Sequence, residues 1–455
     1  MTPLRRKVAA PPVRMAHLGL GNFFRAHQAW YTAHAADARD WGIAAFTGRR
    51  PDVAEVLRAQ EGLYTVITRG GDRDSFDLVA NLSRVHAAAE HDAWLACLAD
   101  PEVRLLTLTV TEAGYARGPG GGLGHDRDDV RADVQALRRD IDAPVRTVPA
   151  RLLGGLARRR ARGGPPLTVL PCDNLPDNGS VVARVVRDLA ERVDPALAEW
   201  VESAVCYGTT MVDRITPATT DGDLRTVVER SGLRDRAPVV TEPFSEWVIS
   251  GTFPAGRPRW EDAGAAFSDG VAAFEQRKLR LLNGAHSLLA YAAPVRGHQT
   301  VDTAIADRRC RDWVEAWWAV AARHLDFSTH DLAGYRAALL ERLANPRMSH
   351  WLAQIAADGS QKLPVRILPT LAEERAAGRT PEAATLVLAA WIRHLRAGGT
   401  PVRDVNADIL VPLAAGPAHL AVPRVLRTLD PALAEDAAAA AVIERQVREF
   451  EAHTR

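Results

Sequence analysis

The sequence predicts a two-part α/β protein, with strands and helices alternating over residues 1–272 and helices dominating residues 273–455. Short apolar runs with strand character recur between residues 13 and 249, and turn-forming or helical segments separate them. After residue 272, alanine, leucine and arginine recur at helical spacing instead. A chain of 455 residues is long enough to form two domains, each with its own core.

The composition is ordinary for a soluble globular protein and argues against several classes of function. Apolar residues make up 47% of the chain and charged residues 25%, and the net charge of +1 provides no basic surface for nucleic acid. No apolar run approaches the ~20 residues that a membrane-spanning helix needs. Four separated cysteines form no metal-binding or disulfide pattern: Cys97, Cys172, Cys206 and Cys310. We therefore expect a cytoplasmic, metal-free protein with no nucleic-acid or membrane partner.

The first strand is predicted at residues 13–18, and Gly19 and Gly21 follow it directly. A strand that leads into Gly-x-Gly and then a helix is typical of a Rossmann-type dinucleotide-binding unit. Gly19 would form the tight turn, and Gly21 would let a pyrophosphate approach backbone N–H groups. Phe24 occupies the place of the third glycine, so the fingerprint is incomplete. A glycine turn without a ligand is an equal alternative.

The next helix and strand carry candidate contacts to the rest of a dinucleotide. Arg25 on the helix is placed to reach a phosphate, and the strand at residues 42–46 suits the second strand of the same unit. After it, Asp52 would accept a hydrogen bond from a ribose 2′-hydroxyl and favour NAD. Arg49 or Arg50 would instead pair with a 2′-phosphate and favour NADP, and the sequence leaves this choice open.

Polar residues follow two further predicted strands, at residues 102–110 and 167–171. Thr111 and Glu112 come after the first strand, and Asn174 comes after the second. Because α/β sheets bind ligands at the carboxyl ends of their strands, all three are candidate site residues. The Asn174 amide could donate to an oxyanion.

Three more segments of the first domain carry weaker signals. The neighbours Asp213 and Arg214 stand in an apolar frame and predict either a buried ion pair or a solvated turn. Residues 239–249 predict one continuous strand with polar residues toward the ligand edge. Asn178 and Gly179 predict a plain turn.

Residues 274–287 place a lysine, an asparagine and a histidine on an otherwise apolar helix. At about 100° per residue, Lys278, Asn283 and His286 fall within an arc of roughly 140°. A lysine with a lowered pKa in such surroundings can act as a general base near neutral pH. The alternative is a helix whose lysine reaches solvent and whose other polar residues bridge core groups.

Lysine usage draws further attention to this helix. Lysine occurs only at Lys7, Lys278 and Lys362, so arginine supplies nearly all the positive charge. Arginine does not deprotonate at working pH and cannot replace lysine where a proton must be passed. Lys278 is therefore a candidate for a function that arginine cannot perform, although chance placement is the alternative.

Several of these stretches, in this order, resemble the mannitol dehydrogenase family, the polyol-specific long-chain dehydrogenases/reductases. The stretches that carry the resemblance are residues 17–29, 109–115, 172–179, 211–217, 242–249, 278–287, 345–347 and 358–364. The Lys/Asn/His signature at residues 278–287 is the most specific of them. The chain departs from the family at Phe24, where many members have histidine.

The resemblance implies an N-terminal Rossmann-type domain, a mostly helical C-terminal domain and a substrate between them. It implies metal-independent, NAD(P)-linked oxidation of a secondary alcohol in an acyclic polyol or sugar acid, or the reverse reduction. Lys278 resembles the general base, Asn174 and Asn283 resemble the amides that stabilise the alkoxide, and His286 and Asp213 resemble residues that orient hydroxyl groups. Arg214 and Lys362 are further substrate candidates. The candidate cofactor residues are Gly19, Gly21, Phe23, Arg25, Asp52, Thr111 and Glu112.

Three functions remain open at this point. The first is a polyol 2-dehydrogenase that links mannitol, arabinitol or sorbitol to its ketose, with NAD as the expected cofactor and NADP as the alternative. The second is a hexuronate reductase of the same fold, which would need a cation for the carboxylate, supplied by Arg214, Arg347, Lys362 or Arg366. The third is a catalytically silent NAD-binding regulator. A monomer or a simple homodimer is expected in each case.

Overall fold

A computed structural model describes residues 2–48, 50–348, 350–396 and 402–452. The chain folds into two compact units, unit 1 at Met1–Ala272 and unit 2 at Ala273–Arg455. Arg49, one of the two arginines considered for NADP, lies outside the described residues.

Unit 1 combines strands and helices in alternation. Its strands are β1 Thr2–Pro3, β2 Val13–Leu18, β3 Gly42–Phe46, β4 Tyr64–Arg69, β5 Asp74–Val79, β6 Leu82–His86, β7 Leu105–Leu108, β8 Leu167–Pro171, β9 Val205–Tyr207, β10 Thr209–Asp213, β11 Leu233–Arg234, β12 Val239–Thr241, β13 Glu246–Ser250 and β14 Ala266–Phe267. Its helices are α1 Asn22–Ala26, α2 Gln28–His34, α3 Asp52–Ala59, α4 His91–Ala99, α5 Asp128–Arg139, α6 Val148–Ala161, α7 Asn178–Val193, α8 Pro195–Ala204 and α9 Asp221–Ser231.

The main sheet of unit 1 has the strand order β6-β3-β2-β7-β8-β9. Every neighbouring pair in it is parallel. Side chains alternate across β2, so that Ala16 and Leu18 enter one hydrophobic core while Met15 enters the other. Burial on both faces explains why these strands appear in the sequence as continuous apolar runs. The order is that of the doubly wound dinucleotide-binding fold.

The predicted strands at residues 13–18, 42–46 and 167–171 are present with the same bounds, as β2, β3 and β8. The strand predicted at residues 102–110 is shorter, at Leu105–Leu108. The continuous strand predicted at residues 239–249 is wrong. β12 and β13 occupy this stretch and belong to different three-stranded sheets, β12-β4-β5 and β10-β13-β14.

Two local features explain why the chain breaks between β12 and β13. Pro243 has no N–H to donate to a strand ladder. The Glu242 carboxylate accepts a hydrogen bond from Ile215 N at 2.6 Å, and Glu242 N donates to Ile215 O at 3.3 Å. Glu242 is thereby held by the segment after β10, and the chain enters a second sheet only from Glu246.

One further local prediction for unit 1 is also wrong, and one predicted helix is not a single continuous segment. Asn178 does not form a plain turn but begins helix α7. Its buried side-chain amide accepts from Thr210 N and donates to Thr210 O, both at 3.0 Å, and so pairs with β10 as a neighbouring strand would. The helix that carries Arg25 is broken in two at His27, whose φ of −120° and ψ of −92° are not helical.

Unit 2 is mostly helical, as predicted. Its helices are α10 Val271–Arg277, which begins at the unit boundary, α11 Gly284–Ala292, α12 Val301–Ala306, α13 Arg308–Ala321, α14 Thr329–Leu343, α15 Leu352–Ile355, α16 Gly359–Arg366, α17 Leu368–Ala376, α18 Glu382–Arg396, α19 Ala407–Ala414, α20 Ala418–Leu429, α21 Pro431–Glu435 and α22 Ala437–Ala452. Eight of the nine residues of α11 are buried, so this helix lies in the core of the unit. Across the described residues, no helix has the length and apolar content needed to span a membrane.

Candidate functional site

The carboxyl ends of three neighbouring strands bring several predicted site residues to one edge of the main sheet. β2, β7 and β8 are adjacent and parallel, so the segments that follow them start from the same edge. Gly19 follows β2, Thr111 follows β7 and Asn174 follows β8. This is the edge at which open α/β sheets bind ligands.

The two glycines after β2 have different surroundings. Gly19 has φ +114°, and a Cβ there would lie 2.0 Å from Thr109 O, so the fold itself requires glycine. Gly21 has no such conflict, since a Cβ would meet nothing nearer than Gly19 O at 3.6 Å. Gly21 therefore leaves open space at the start of α1. Such space fits the approach of a pyrophosphate to the backbone.

A buried histidine holds the glycine turn in place through hydrogen bonds to two threonines of the neighbouring segment. His17 Nδ1 lies 2.8 Å from Thr107 Oγ1, and its Nε2 lies 3.0 Å from Thr109 Oγ1. Because the Thr109 hydroxyl donates to Gly19 O at 2.8 Å, it must accept from His17 Nε2–H. Burial lowers the pKa of His17 to about 3, so the ring is neutral. This network holds β2, β7 and the turn together.

Phe24 supports the same network instead of facing a ligand. Its ring is fully buried and stacks on His17 with ring centroids 3.4 Å apart. A histidine at this position would have to find a polar partner in the core, whereas phenylalanine needs none. Phe24, where the chain departs from the family pattern, thus lies in the core of unit 1.

Arg25 does not fit its predicted role as a phosphate ligand. The side chain is 3% exposed and donates to Ala237 O, to Gly21 O at 3.2 Å and to Asn22 Oδ1 at 2.7 Å. Burial lowers the pKa of Arg25 to about 10. The guanidinium therefore serves acceptors within unit 1.

The remaining predicted cofactor residues of unit 1 lie at accessible positions. Phe23 is half-buried at the start of α1, and Asp52 is exposed at the first position of α3. Thr111 and Glu112 are exposed at the start of a short 3₁₀ helix, Glu112–Tyr115, after β7. Their roles toward a cofactor stay predictions.

The segment that carries Asn174 is anchored on both sides of that residue. Before it, Asp173 accepts a hydrogen bond from the buried Tyr115 hydroxyl. After it, the buried Leu175 donates its N–H to Asp173 Oδ1 at 3.4 Å, and Asn178 Nδ2 donates to Asp173 O at 3.3 Å. Asn174 lies between these anchors with an exposed side chain. Asp173 therefore ties the segment after β8 to the segment after β7.

Burial raises the pKa of Asp173 to about 6, although the Tyr115 hydrogen bond opposes this shift. Asp173, Tyr115 and His17 are not among the functional residues predicted from the sequence. For His17 and Asp173, the signal in the sequence was a polar residue inside a buried strand or shortly after one.

Asp213 and Arg214 lie at the end of β10 and are both buried. Arg214 Nη1 donates to Ala26 O at 2.6 Å, and its guanidinium lies 4.5 Å from the centre of the Trp30 ring. Burial lowers the pKa of Arg214 to about 10. Like Arg25, this arginine is engaged by the core of unit 1, which does not fit the prediction that it binds substrate.

In unit 2, Lys278, Asn283 and His286 lie on the predicted helical stretch and are each half-buried. The stretch is not a continuous α-helix, because residues Lys278–Asn283 form a π-helix between α10 and α11. The angular relation derived at 100° per residue therefore does not apply to this turn. The π-helical hydrogen bond spans five residues instead of four, and such turns occur frequently at functional sites.

Cationic and imidazole groups lie near this stretch in unit 2. The His286 and His350 rings are 5.7 Å apart in an edge-to-face arrangement, and Arg366 Nη1 donates to Ser287 Oγ at 3.2 Å. Lys362 Nζ donates to Ile355 O at 3.2 Å. Burial lowers the pKa of both Lys362 and Arg366, and the charge of Arg366 lowers that of Lys362 further. Unit 2 thus places two partly desolvated cations on α16.

The four cysteines are free thiols. Among the described residues, His298, Asp307 and Cys310 come close enough together to hold a metal ion. Arg296 Nε, however, already donates to Asp307 Oδ2 at 2.7 Å. The carboxylate therefore has a cationic partner within the fold, and the cluster is separate from the residues predicted to act in catalysis.

The strand order of unit 1 and its glycine turn are those of a dinucleotide-binding domain of the Rossmann class. Residues 13–262 match the mannitol dehydrogenase Rossmann domain, and residues 270–415 match the mannitol dehydrogenase C-terminal domain. The chain belongs to the mannitol dehydrogenase family.

Relatives with several substrates resemble the chain along most of its length. It is 36% identical to a mannitol 2-dehydrogenase of Cereibacter sphaeroides, over 86% of this chain and 82% of the relative. It is 34% identical to a D-mannonate oxidoreductase of Escherichia coli, over 88% of this chain and 83% of the relative. Pseudomonas fluorescens mannitol 2-dehydrogenase, solved as a ternary complex with NAD and D-mannitol, is 30% identical with a TM-score of 0.82, over 98% of this chain and 93% of that one.

These findings confirm the predicted family, fold class and enzyme class, an NAD-linked oxidoreductase of the mannitol dehydrogenase family. They argue against the catalytically silent regulator. The roles of individual residues, the cytoplasmic location and the monomeric or simple homodimeric state stay predictions.

Proposed function

We propose that the protein oxidises a secondary alcohol of an acyclic polyol of the mannitol type to the ketose, and catalyses the reverse reduction. Lys278 takes the hydroxyl proton as the general base. The observation that carries this proposal is that Lys278, Asn283 and His286 are all half-buried on one stretch, where a π-helical turn leads into α11. This stretch lies in the mannitol dehydrogenase C-terminal domain. The D-mannitol in the ternary complex of the Pseudomonas fluorescens enzyme supports the substrate class.

Each proposed residue acts on the charge that develops at the substrate oxygen. As the hydroxyl proton moves to the Lys278 amine, negative charge grows on the alcohol oxygen, and the amides of Asn174 and Asn283 donate to it. A preorganised donor of this kind contributes about 3 kcal/mol of barrier lowering. His286 and Asp213 orient further hydroxyl groups. The backbone of the turn at Gly21 would hold the NAD pyrophosphate, and bound NAD would accept the hydride from the carbinol carbon.

The test measures formation of reduced nicotinamide with NAD and NADP across mannitol, arabinitol, sorbitol and other polyols, for wild type, Lys278→Ala and Lys278→Arg. We expect turnover by the wild type and a fall of about 10²–10⁴-fold in kcat for both variants. Arginine keeps the positive charge but cannot accept the proton, so Lys278→Arg separates base catalysis from charge.

Lys7→Arg is the matched control, since Lys7 is exposed near the N-terminus and outside the proposed site. Its activity should equal that of the wild type. Undiminished turnover by Lys278→Arg would refute the role of Lys278 as a base. No turnover of any polyol by the wild type would refute the substrate class.

A hexonate or hexuronate substrate is the second candidate. The observation that favours it is the pair of partly desolvated cations on α16, Lys362 and Arg366, with Arg366 bonded to Ser287 beside His286. Such cations suit a carboxylate, and the E. coli relative is named for D-mannonate. Hexonates, and keto-uronates in the reverse direction, therefore belong in the same assay. A higher kcat/KM for them than for polyols would make this the principal function.

A further inference from the structure

The π-helical turn in unit 2 has Lys278 and Asn283 at its two ends. In an α-helix, residues five apart are turned about 140° from one another. A turn closed by i→i+5 hydrogen bonds instead places residues five apart about one turn apart, on neighbouring positions of one face. The change in helix type therefore alters the relation between these two side chains.

The backbone hydrogen bonds of this turn leave one carbonyl without its usual partner. Gly284 N donates to Leu279 O, five residues back, and also to Leu281 O. In an α-helix the same N–H would donate to Arg280 O. Without another donor, Arg280 O would be a buried acceptor with no hydrogen bond, which is unfavourable.

Two adjacent tryptophans of α13 supply donors at this place. Trp317 Nε1 donates to Arg280 O, and Trp318 Nε1 donates to Leu281 O, both at 2.8 Å. Both indoles are almost fully buried. The carbonyl that the π-helical turn leaves without its α-helical partner, Arg280 O, thus accepts from Trp317, and the neighbouring Leu281 O accepts from Trp318 in addition to Gly284 N.

Gly284 permits the approach of the first indole. A Cβ at this position would lie 2.5 Å from Trp317 Nε1 and 2.8 Å from Trp317 Cε2. Any larger residue would push the indole away from Arg280 O. The hydrogen bond from Trp317 to Arg280 O therefore depends on glycine at position 284.

We propose that Trp317 and Trp318 are positioning residues, whose indole N–H groups maintain the π-helical turn. That turn sets the base Lys278 and the amide of Asn283 on neighbouring positions, so the inference rests on the proposed function. Neither tryptophan acts on the substrate itself. Each acts through the backbone carbonyl that it satisfies.

Trp317→Phe tests this inference, because it removes the N–H and keeps an aromatic ring. We expect kcat for the best polyol or hexonate to fall by about tenfold or more per folded molecule, with the KM for NAD unchanged within about threefold. In an Asn283→Ala background the same substitution should lower kcat by less than about threefold, because one of the two positioned groups is already absent. Trp318→Phe should behave similarly.

Trp94→Phe in unit 1 is the matched control. Trp94 is fully buried and its Nε1 donates to a helical carbonyl, Arg151 O, at 2.8 Å. We expect Trp94→Phe to lower the melting temperature about as much as Trp317→Phe does, but to leave kcat unchanged. A Trp317→Phe enzyme with wild-type kcat, or an equal fold-loss in the wild-type and Asn283→Ala backgrounds, would overturn the inference. Failure of the proposed function is a separate result, namely a wild type that turns over neither polyols nor hexonates.

Discussion

Replacing Asp173 by asparagine should stabilise the protein at alkaline pH. The pKa of Asp173 is raised from 3.8 to about 6, chiefly by burial. A rise of about 2 units corresponds to about 3 kcal/mol of preference for the protonated carboxyl group in the folded state. Asparagine is uncharged at every pH and can still pair with the Tyr115 hydroxyl and with Leu175 N. Asp173→Asn therefore removes the desolvation cost of the carboxylate while the anchor is kept.

The sign of the pH dependence follows from the raised pKa of Asp173. Because the folded state binds the proton more tightly, the wild type gains stability as the pH falls through 6 toward 3.8 and loses it as the pH rises. Asp173→Asn mimics the protonated form throughout. Its advantage should be about 3 kcal/mol at pH 8 and about half of that at pH 5.

Urea unfolding of the wild type and the variant, followed at pH 5 and pH 8, measures the difference. Titrating groups that do not interact with Asp173 are shared by both proteins and cancel in the comparison. An identical stability difference at the two pH values would refute the claim that Asp173 is a desolvated carboxylate. A less stable variant at pH 8 would show that the carboxylate contributes more as an anchor than its burial costs.

Two further substitutions test the geometry assigned to unit 1. Gly19→Ala would place a Cβ 2.0 Å from Thr109 O at φ +114°, so we expect a loss of about 2–4 kcal/mol and of NAD binding, measured by thermal unfolding and calorimetry. Gly71→Ala, where a Cβ meets nothing within 4 Å, is its control, and equal behaviour of the two would contradict the assigned geometry. Arg25→Met should cost about 1.5–3 kcal/mol of stability while the folded protein keeps its NAD affinity. Weaker NAD binding at unchanged stability would instead restore Arg25 as a phosphate ligand.

The central sheet could be predicted because its strands are buried on both faces. β2, β3 and β8 are short apolar runs, so local sequence and burial agree. The polar residues after them were recognisable as candidates because strand direction alone decides which edge they share. The break between β12 and β13 was not recognisable in this way, since it depends on Glu242 contacting Ile215, 27 residues earlier in the chain.

The π-helical turn at Lys278–Asn283 could not be predicted for a similar reason. Residues 274–287 have the composition of an α-helix, and no local signal marks the π-helical turn. The side-chain donors to its carbonyls Arg280 O and Leu281 O come from Trp317 and Trp318 on another helix. The family motif locates Lys278 and Asn283 in the chain, but the tertiary contacts determine their mutual geometry.

The arginines show why charge in a sequence is a weak guide to ligand binding in this protein. Arg25 and Arg214 stand beside candidate sites in the sequence, yet both guanidinium groups donate to backbone carbonyls in the core. Arg159 does the same more extensively, donating to Leu98 O, Asp100 O, Val103 O and Pro165 O. A planar group with five donors suits that structural task, and its permanent charge is tolerated because several carbonyls share it. Proton transfer is the task that such a group cannot perform, and for that reason Lys278→Arg is the most informative substitution in the chain.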